Sequence, residues 1–320
     1  MDIFLKKVML DGLPYPEAAL KDAKLSGRLS HRLGRWEENS APVLPGAAVW
    51  LTDDAGAAKR LSKEGESVVY LLTEDNREIS CAGAAWCAKV PGQGAEEGKS
   101  RERTGWQKEL FAVEKTGFPD WLPESFLWRV WLRHNGLPWY IRETDRLLLR
   151  EMTETDLDFV LEMQKEEGRA GWAARAYAGE KRDTAGRIRE EEKEKLSAYI
   201  GQIYGFYGFG IWLVLEKESG MPVGRAGLQM REEIPGPELG FSIAPQFRRR
   251  GYAREACRAV LFWAKEELET ENVYAVADRE NIASCRLCEQ LGFVRARTET
   301  KNAETDVLFV LEQHPDGYLR

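Results

Sequence analysis

Apolar and polar positions follow two different periods along the C-terminal half of the chain. Short apolar runs such as RLLLREMT and NVYAVAD predict strands, and GIWLVLEKESGMPVGRAGLQM predicts a hairpin turning at Ser219 and Gly220. Apolar residues spaced three and four apart predict helices, as in GYAREACRAVLFWAKEEL. From Arg146 onward the predicted order is β-α-α-β-β-β-α-β-α-β-β. This order indicates a mixed sheet with helices on both faces.

Two helices are predicted ahead of the hairpin. Thr153 and Asp156 form a capping-box pattern that opens the first helix. The second, longer helix covers RIREEEKEKLSAYIGQIYGFYG, and its charge run 189–195 is predicted to be a solvated first half. The aromatic residues near its end are predicted to lie in the core: Tyr204, Phe206, Tyr207 and Phe209.

The N-terminal half has one clear unit. AAVWLTDD predicts a buried strand, AGAAKRLSKEG a helix that ends at Gly65, and SVVYLLT a second strand. Strand, helix and strand in this order indicate a βαβ unit in a small parallel α/β layer. ESFLWRVWLRHNG predicts a further helix, and PGQGAEEGKSRERT a loop. We place the domain border near residue 142, which predicts a small α/β domain over 1–142 and a second domain over 143–320.

The bulk composition narrows the possible partners. A chain of 320 residues with a net charge of −7 favours two domains and argues against generic nucleic-acid binding, which needs a basic surface. No run approaches the length of a membrane span, and the start of the chain lacks a secretory signal pattern. We therefore expect a cytoplasmic protein.

The cysteines and histidines predict neither disulfides nor a metal site. The five cysteines are sparse and odd in number, which is typical of reduced thiols. Cys285 and Cys288 have C-x-x-C spacing, but they sit in a helical pattern with no second cysteine pair nearby. The three histidines are far apart in sequence, so we expect no metal.

The stretch QFRRRGYAREA carries the most chemical information. A strand predicted over PELGFSIAP ends at Pro245, and a helix is predicted to begin near Gly251. The linker therefore presents unpaired backbone N–H groups at the positive end of a helix, where a phosphate can bind. Gly251 allows close approach, and Arg248, Arg249 and Arg250 add charge. A basic loop that merely caps the helix stays the alternative at this point.

Three motifs together resemble the GNAT acetyltransferase superfamily. Arg248-x-x-Gly251-x-Ala253 looks like its acyl-CoA signature, and RENIASCRLCEQLGF over 279–293 looks like its second signature. TDRLLLREMTETDLDFV is similar to its opening strand and helix. The style is that of the branch that acetylates ribosomal-protein N-termini. The resemblance covers about 143–313 and implies a splayed, mixed sheet flanked by helices, acetyl-CoA as co-substrate, and acetyl transfer to a primary amine.

The same resemblance implies a set of contacts with acetyl-CoA. The backbone amides from Arg249 to Ala253, including Tyr252, would bind the pyrophosphate, with Arg248 at the first signature position. The strand edge at Phe241, Ser242 and Ile243 would pair with the pantetheine arm. Asn281 and Ser284 fall on motif positions that touch the pantetheine or its sulfur. The thioester would lie where this strand splays from VYAVAD.

The reaction needs a base, because a free alkylamine is protonated at neutral pH. Glu238 is our candidate, since strand alternation places it on one face with Gly240 and Ser242. An ordinary edge carboxylate is the alternative reading, and Glu232 and Glu233 are rivals. Cys288 stands where many family members carry a tyrosine acid. It is either a proton donor or a small buried side chain, and Ser284 is a further candidate for the acid.

The acceptor and the role of the first domain stay open at this level. The acceptor is expected against EEGRAGWAARAYAGE, YGFYGFG and ARTETKNAETD, and it is a small-molecule amine or a peptide or protein N-terminus. The first domain faintly resembles haloacid-dehalogenase domains, although Asp53 and Asp54 are adjacent rather than alternate. Asp54 could equally cap the following helix. We expect this domain to be non-catalytic. A non-catalytic acyl-CoA sensor is the alternative function for the whole chain.

Overall fold

A computed structural model describes most of the chain. The described residues are 5–10, 14–20, 47–52, 55–72, 86–89, 124–170, 185–268, 270–296 and 305–312. They belong to two compact units. The first unit is Met1–Trp139 together with Ile200–Gly208, and the second is Tyr140–Tyr199 together with Phe209–Arg320. The separate folding domains predicted over 1–142 and 143–320 stay a prediction.

The first unit contains a four-stranded sheet in the order β1-β2-β3-β4. Its strands are β1 (Leu5–Met9), β2 (Ala48–Thr52), β3 (Val68–Leu72) and β4 (Trp86–Lys89). Its helices are α1 (Glu17–Leu20), α2 (Ala55–Lys63) and α3 (Glu124–His134). Strands β2 and β3 are parallel with α2 between them in sequence, which confirms the predicted βαβ unit.

The helix ends of this unit follow the sequence signals. Gly65 follows α2 with a φ of 82°, a conformation that glycine adopts without the penalty of a Cβ atom. His134, at the end of α3, forms a hydrogen bond of 2.9 Å between its Nε2 and the Gly65 carbonyl oxygen. The end of α3 is thereby tied to the turn that closes α2. Leu127, Val130 and Trp131 on α3 are buried, as its predicted apolar face requires.

The second unit contains an eight-stranded mixed sheet in the order β11-β12-β10-β9-β8-β7-β6-β5. Its strands are β5 (Tyr140–Glu143), β6 (Leu147–Arg150), β7 (Ile211–Glu216), β8 (Pro222–Gln229), β9 (Glu238–Ile243), β10 (Asn272–Asp278), β11 (Val294–Arg295) and β12 (Asp306–Glu312). The predicted hairpin is β7 and β8, which pair antiparallel. Gly220 closes its turn with a φ of 65°.

The sheet is splayed between β9 and β10. These parallel neighbours pair at a single position, Tyr274 with Glu238. On its other edge, β9 pairs with β8 along its whole length, from Glu238 to Ile243. Among the described residues, therefore, the edge of β9 that faces β10 pairs with no strand beyond Glu238. The mixed, splayed sheet flanked by helices confirms the predicted fold class.

Helices cover both faces of this sheet. They are α4 (Leu157–Ala170), α5 (Ala185–Ala198), α7 (Tyr252–Glu267) and α8 (Ile282–Gln290); the short α6 (Tyr204–Tyr207) belongs to the first unit. Trp212 on β7 packs edge to face on Trp263 of α7, with 4.8 Å between ring centroids. Since strand side chains alternate between faces, Ile211 points to the opposite face, where α4 and α5 lie.

Local departures from the predicted pattern have clear causes. The strand Tyr140–Glu143 was missed because it directly follows a segment interrupted by glycine and proline; it forms the sheet edge beside β6. The long second helix is not continuous, since Tyr199–Ile203 is a π-helical turn between α5 and α6. Tyr204 and Phe209 are buried as predicted, and Tyr207 is half-buried. The capping box is present, with the Thr153 N–H donating to Asp156 at 2.7 Å.

Several predictions fall outside the described residues. The loop PGQGAEEGKSRERT, the pair Asp53 and Asp54, and the side chain of Phe206 are among them. Two of the segments predicted to contact the acceptor also lie mostly outside the described residues: EEGRAGWAARAYAGE and ARTETKNAETD.

Candidate active site

The loop between β9 and α7 adopts an unusual backbone conformation. Pro245–Phe247 form one 3₁₀ turn, and Arg249 and Gly251 both have positive φ values, of 63° and 83°. Gly251 stands at the N-cap of α7, where no side chain caps the helix. A non-glycine residue in this conformation is uncommon, so the positive φ of Arg249 marks a loop with a specific shape.

This loop leaves backbone donors unpaired. In the part of the chain that the structure describes, no hydrogen bond is formed by the backbone N–H groups of Arg249, Arg250, Gly251, Tyr252 and Ala253. Because the first N–H groups of a helix have no intrahelical partner, they carry partial positive charge. The structure therefore places a row of free donors where the sequence predicts a pyrophosphate site.

The arginines of the loop have different surroundings. Arg248 donates from Nε to the Ile243 carbonyl oxygen at 2.9 Å, so it ties the loop back to the end of β9. Arg250 stacks over the Phe247 ring at 5.3 Å. Arg249 is exposed. Like Arg249, Arg248 and Arg250 are exposed, but each of these two is also held by a contact within the loop or with the end of β9.

The side chains of Tyr252 and Arg146 support the loop through contacts with neighbouring residues. The Tyr252 side chain is buried and its hydroxyl donates to Glu216, so only its backbone amide is available to a ligand. Arg146, just before β6, stacks on the Tyr252 ring at 4.7 Å. It also donates to the Arg250 carbonyl oxygen at 3.0 Å and pairs with Glu255 at 2.6 Å. Arg146 was not identified from the sequence, because no local pattern marks it.

A cleft of about 370 Å³ opens on the face of the sheet that carries α4 and α5. Its apolar side chains come from Met152, Val160, Leu196 and Ile211, and β9 contributes Gly240, Phe241 and Ser242. Its polar side chains are Gln164, Glu192, Lys195, Tyr199, Arg225 and Gln229. The cleft therefore adjoins the strand that the sequence assigns to the pantetheine arm.

Glu192 is the main correction to the sequence analysis. The charge run 189–195 was predicted to be solvated, yet Glu192 is only 5% exposed and lines the cleft. It lies one helical turn before Leu196, which the sequence placed on the apolar face. The spacing from Leu196 therefore indicated that Glu192 lies on the buried side of the helix, but the charged neighbours favoured the prediction of a solvated segment.

Glu238, the predicted base, is buried at the point where β9 and β10 begin to splay. Burial raises its pKa, and the guanidinium of Arg231, 3.4 Å away, offsets only part of that effect. A raised pKa brings a carboxylate closer to the operating range of a general base. Glu238 does not line the cleft, although its neighbours Gln229 and Gly240 do. The rivals Glu232 and Glu233 are exposed.

The second signature starts at the N-terminus of α8. The Asn281 side chain accepts a hydrogen bond from the Ser284 N–H at 3.1 Å and so caps the helix. Its amide nitrogen remains a possible ligand donor, while Ser284 is half-buried. The roles predicted for Asn281 and Ser284 at the pantetheine stay predictions.

Cys288 lies in the interior rather than at the cleft. It is 1% exposed, and Cys257 and Cys285 are close enough to interact with it electrostatically. Burial, together with the neighbouring Cys285, raises the pKa of the Cys288 thiol to about 11. Of the two readings of this position, the small buried side chain fits the structure. Cys288 is not among the residues that line the cleft.

Much of the second unit is similar to a known protein family. Residues 146–294 match the family described as acetyltransferase (GNAT) domain. This range contains the loop at Gly251, the cleft and most of the splayed sheet. Over these residues the chain is therefore similar to GNAT acetyltransferase domains.

Individual relatives are similar over shorter stretches. The uncharacterised protein YkkB of Bacillus subtilis (strain 168) is 32% identical over 97 residues, which cover 30% of this chain and 56% of that protein. The uncharacterised N-acetyltransferase YjdG of the same organism is 30% identical over 91 residues, 28% of this chain and 54% of that protein. The chain thus spans about half the length of these curated relatives.

Among solved structures, an acetyltransferase from Agrobacterium tumefaciens str. C58 is similar, with a TM-score of 0.41 and 21% identity. The similarity covers 54% of this chain and 94% of that one. The family match begins at residue 146, so it gives no support to the haloacid-dehalogenase resemblance of the N-terminal half.

Two further findings concern metals and membranes. Within the ranges described above, no group of three or more His, Cys, Asp or Glu side chains could hold a metal ion. Cys257, Cys285 and Cys288 are free thiols. None of the described helices is long and apolar enough to cross a membrane.

Proposed function

We propose that the protein is an N-acetyltransferase that moves the acetyl group of acetyl-CoA to a primary amine. The observation that carries the proposal is the row of free backbone donors from Arg249 to Ala253, directly after a strand with an unpaired edge. The donors suit a pyrophosphate, and the strand edge suits an extended amide-containing arm. The acceptor is a small-molecule amine or a peptide or protein N-terminus.

The reaction is a direct attack within a ternary complex. The amine nitrogen attacks the thioester carbonyl carbon, the C–N bond forms, the C–S bond breaks, and CoA leaves as a thiolate. The proton from the amine passes to Glu238, directly or through water. The raised pKa of Glu238 supports this role. Because the thiolate is a good leaving group, the reaction does not depend on an acid at Cys288.

The matched family favours catalysis over a purely regulatory acyl-CoA sensor. The deciding experiment measures free thiol release from acetyl-CoA over a panel of alkylamines and N-terminal peptides, beside direct acetyl-CoA binding. Turnover with at least one acceptor is expected. Micromolar binding without turnover of any acceptor would contradict the enzyme and leave the sensor.

A further inference from the structure

Glu192 is an exception within its own helix. The other described side chains of α5 are exposed or half-buried, except Leu196 one turn later. An ionised carboxylate loses its hydration when it is buried, so it needs partners that replace the water. The position of Glu192 at the cleft is therefore a costly one that requires an explanation.

Two donors compensate this carboxylate. Gln164 of α4 donates to Oε2 at 2.7 Å, and Lys195 donates to Oε1 at 2.5 Å. Burial by itself raises the pKa of Glu192, but the hydrogen bonds from Lys195 and Gln164 and the charge of Lys195 bring it below the usual value. Glu192 is thus a fixed, ionised carboxylate and a poor proton acceptor at neutral pH.

The carboxylate still has capacity for another cation. Each oxygen has one hydrogen-bond partner among the described residues, and each can accept a second. The Lys195 side chain is 65% exposed, so its ammonium sits at the solvent side of the pair. The lining that includes Glu192 also includes Gly240 and Ser242 of β9, next to the predicted acyl-transfer point.

We propose that Glu192 selects the acceptor by binding it as an alkylammonium ion in this cleft. The inference rests on the proposed function and names the acceptor class as a basic alkylamine, not an aryl amine or an alcohol. An alkylamine resembles a lysine side chain, which is protonated at neutral pH, whereas an aryl amine is neutral there and gains little from a fixed carboxylate. Glu192 orients the nitrogen before the proton leaves. Because Glu238 does not line the cleft, the proton reaches it through water.

A purely structural role for Glu192 would give different results. In that case the carboxylate would only join α5 to α4 through Gln164. Its replacement would lower stability and affect all acceptors alike. If Glu192 binds the acceptor, its replacement should change only the Michaelis constant for basic amines. Kinetics can therefore distinguish the two roles.

The test uses the full-length chain and the variant Glu192→Gln. The KM for alkylamines should rise about tenfold to a hundredfold, the effect of losing a charge-assisted hydrogen bond. The KM for acetyl-CoA and the turnover of a reactive aryl amine or aryl hydrazine should stay constant. Glu191→Gln is the matched control, because this neighbouring carboxylate is exposed and pairs with Arg187. The control should behave like the wild type.

A second variant should change the KM for alkylamines in the opposite direction. Lys195→Ala removes the cation that competes for the carboxylate, so the KM for alkylamines should fall, whereas a structural tie alone predicts no change or a rise. Equal loss for alkyl and aryl acceptors in Glu192→Gln, or an unchanged or raised alkylamine KM in Lys195→Ala, overturns the inference. Failure of the wild type to acetylate any amine would instead overturn the proposed function.

Discussion

Gly251 is the residue on which the proposed phosphate site depends most. Its φ of 83° is unfavourable for any residue with a Cβ atom, by about 1–2 kcal/mol for a left-handed conformation. A Cβ atom built there would also lie 3.4 Å from Arg146 Nη2. The glycine therefore serves the shape of the loop, and in the proposed site its missing Cβ atom also allows a phosphate to approach closely.

Replacing Gly251 by valine should abolish acetyl-CoA binding, which isothermal titration calorimetry can measure. Gly292→Val is a matched control, because Gly292 also has a positive φ, of 93°, but lies at the end of α8. The control should lose stability without losing acetyl-CoA affinity. Retained affinity in Gly251→Val would place the acetyl-CoA site elsewhere.

Replacing Glu238 by glutamine should slow turnover on the order of a hundredfold, as removal of a general base does, and leave acetyl-CoA affinity unchanged. The wild-type rate should fall as the pH drops through the raised pKa of Glu238, because the protonated carboxyl cannot accept a proton. Turnover of Glu238→Gln should lack this pH dependence. An unchanged rate would remove Glu238 as the base.

The same raised pKa has a consequence for stability. A carboxyl group with a raised folded pKa favours folding while it is protonated, and this contribution is lost as the pH rises through the folded pKa. Thermal melts should therefore show Glu238→Gln gaining stability relative to the wild type as the pH rises from the ordinary carboxyl range through the raised pKa of Glu238. A constant difference over this range would contradict the burial of an ionisable group at this position.

At the scale of elements, side-chain contacts between the residues just before β6 and the start of α7 support the loop. Arg146 joins the Arg250 carbonyl oxygen, the Glu255 carboxylate and the Tyr252 ring. Thr144 adds a second bond to Glu255 at 2.6 Å. Hydrogen bonds from Thr144 and Arg146 outweigh burial and lower the pKa of Glu255, so the pair is ionised at neutral pH.

Arg146→Lys should raise the KM for acetyl-CoA about fivefold, since a partly exposed ion pair contributes on the order of 1 kcal/mol. Lysine cannot replace the guanidinium fork that reaches both Glu255 and the Arg250 carbonyl. Saturated turnover and the amine KM should not change. Arg142→Lys is the control, because Arg142 pairs with Glu266 at the far end of the same helix. Equal effects of both substitutions would reduce the role of Arg146 to general stability.

Element prediction succeeded where periodicity was unambiguous. The βαβ unit, the hairpin and both signature helices are found where the sequence places them. The π-helical turn at Tyr199–Ile203 was not predictable, because the apolar spacing continues through it. Glu192 was predicted wrongly for a related reason. Which charged residue of a charged run becomes buried depends on tertiary packing, not on the local sequence. Its partner Gln164 comes from another helix, 28 residues earlier.

At the scale of the whole molecule, the proposed catalytic groups lie in the second unit. The phosphate loop, the cleft and Glu238 all belong to Tyr140–Tyr199 or Phe209–Arg320. The segment Ile200–Gly208 belongs to the first unit, and its Tyr204 is 0% exposed there with Arg133 over its ring at 5.9 Å. The first unit thus includes one segment, Ile200–Gly208, from within the sequence range of the second.

A chain shortened to 140–320 should keep its acetyl-CoA affinity and melt at a lower temperature. Affinity is retained because the loop and its support are intact, and stability falls because Tyr204 loses its surroundings. Full-length Tyr204→Ala should reproduce the stability loss, of about 3–5 kcal/mol for a buried aromatic, without affecting acetyl-CoA affinity. A folded but non-binding 140–320 chain would show that the first unit contributes to the site.

The sequence by itself determined most of the helices and strands of the second unit and the loop at Gly251, because periodicity, helix caps and the glycine requirement are local properties of the chain. The splayed form of the sheet was implied only by the resemblance to the GNAT superfamily. Only the tertiary structure decided which side chains meet. It buried Cys288, turned the Tyr252 hydroxyl toward Glu216, brought Arg146 under the loop and placed Glu192 in the cleft. Each of these outcomes depends on residues far apart in sequence, whose contacts and desolvation no local pattern encodes.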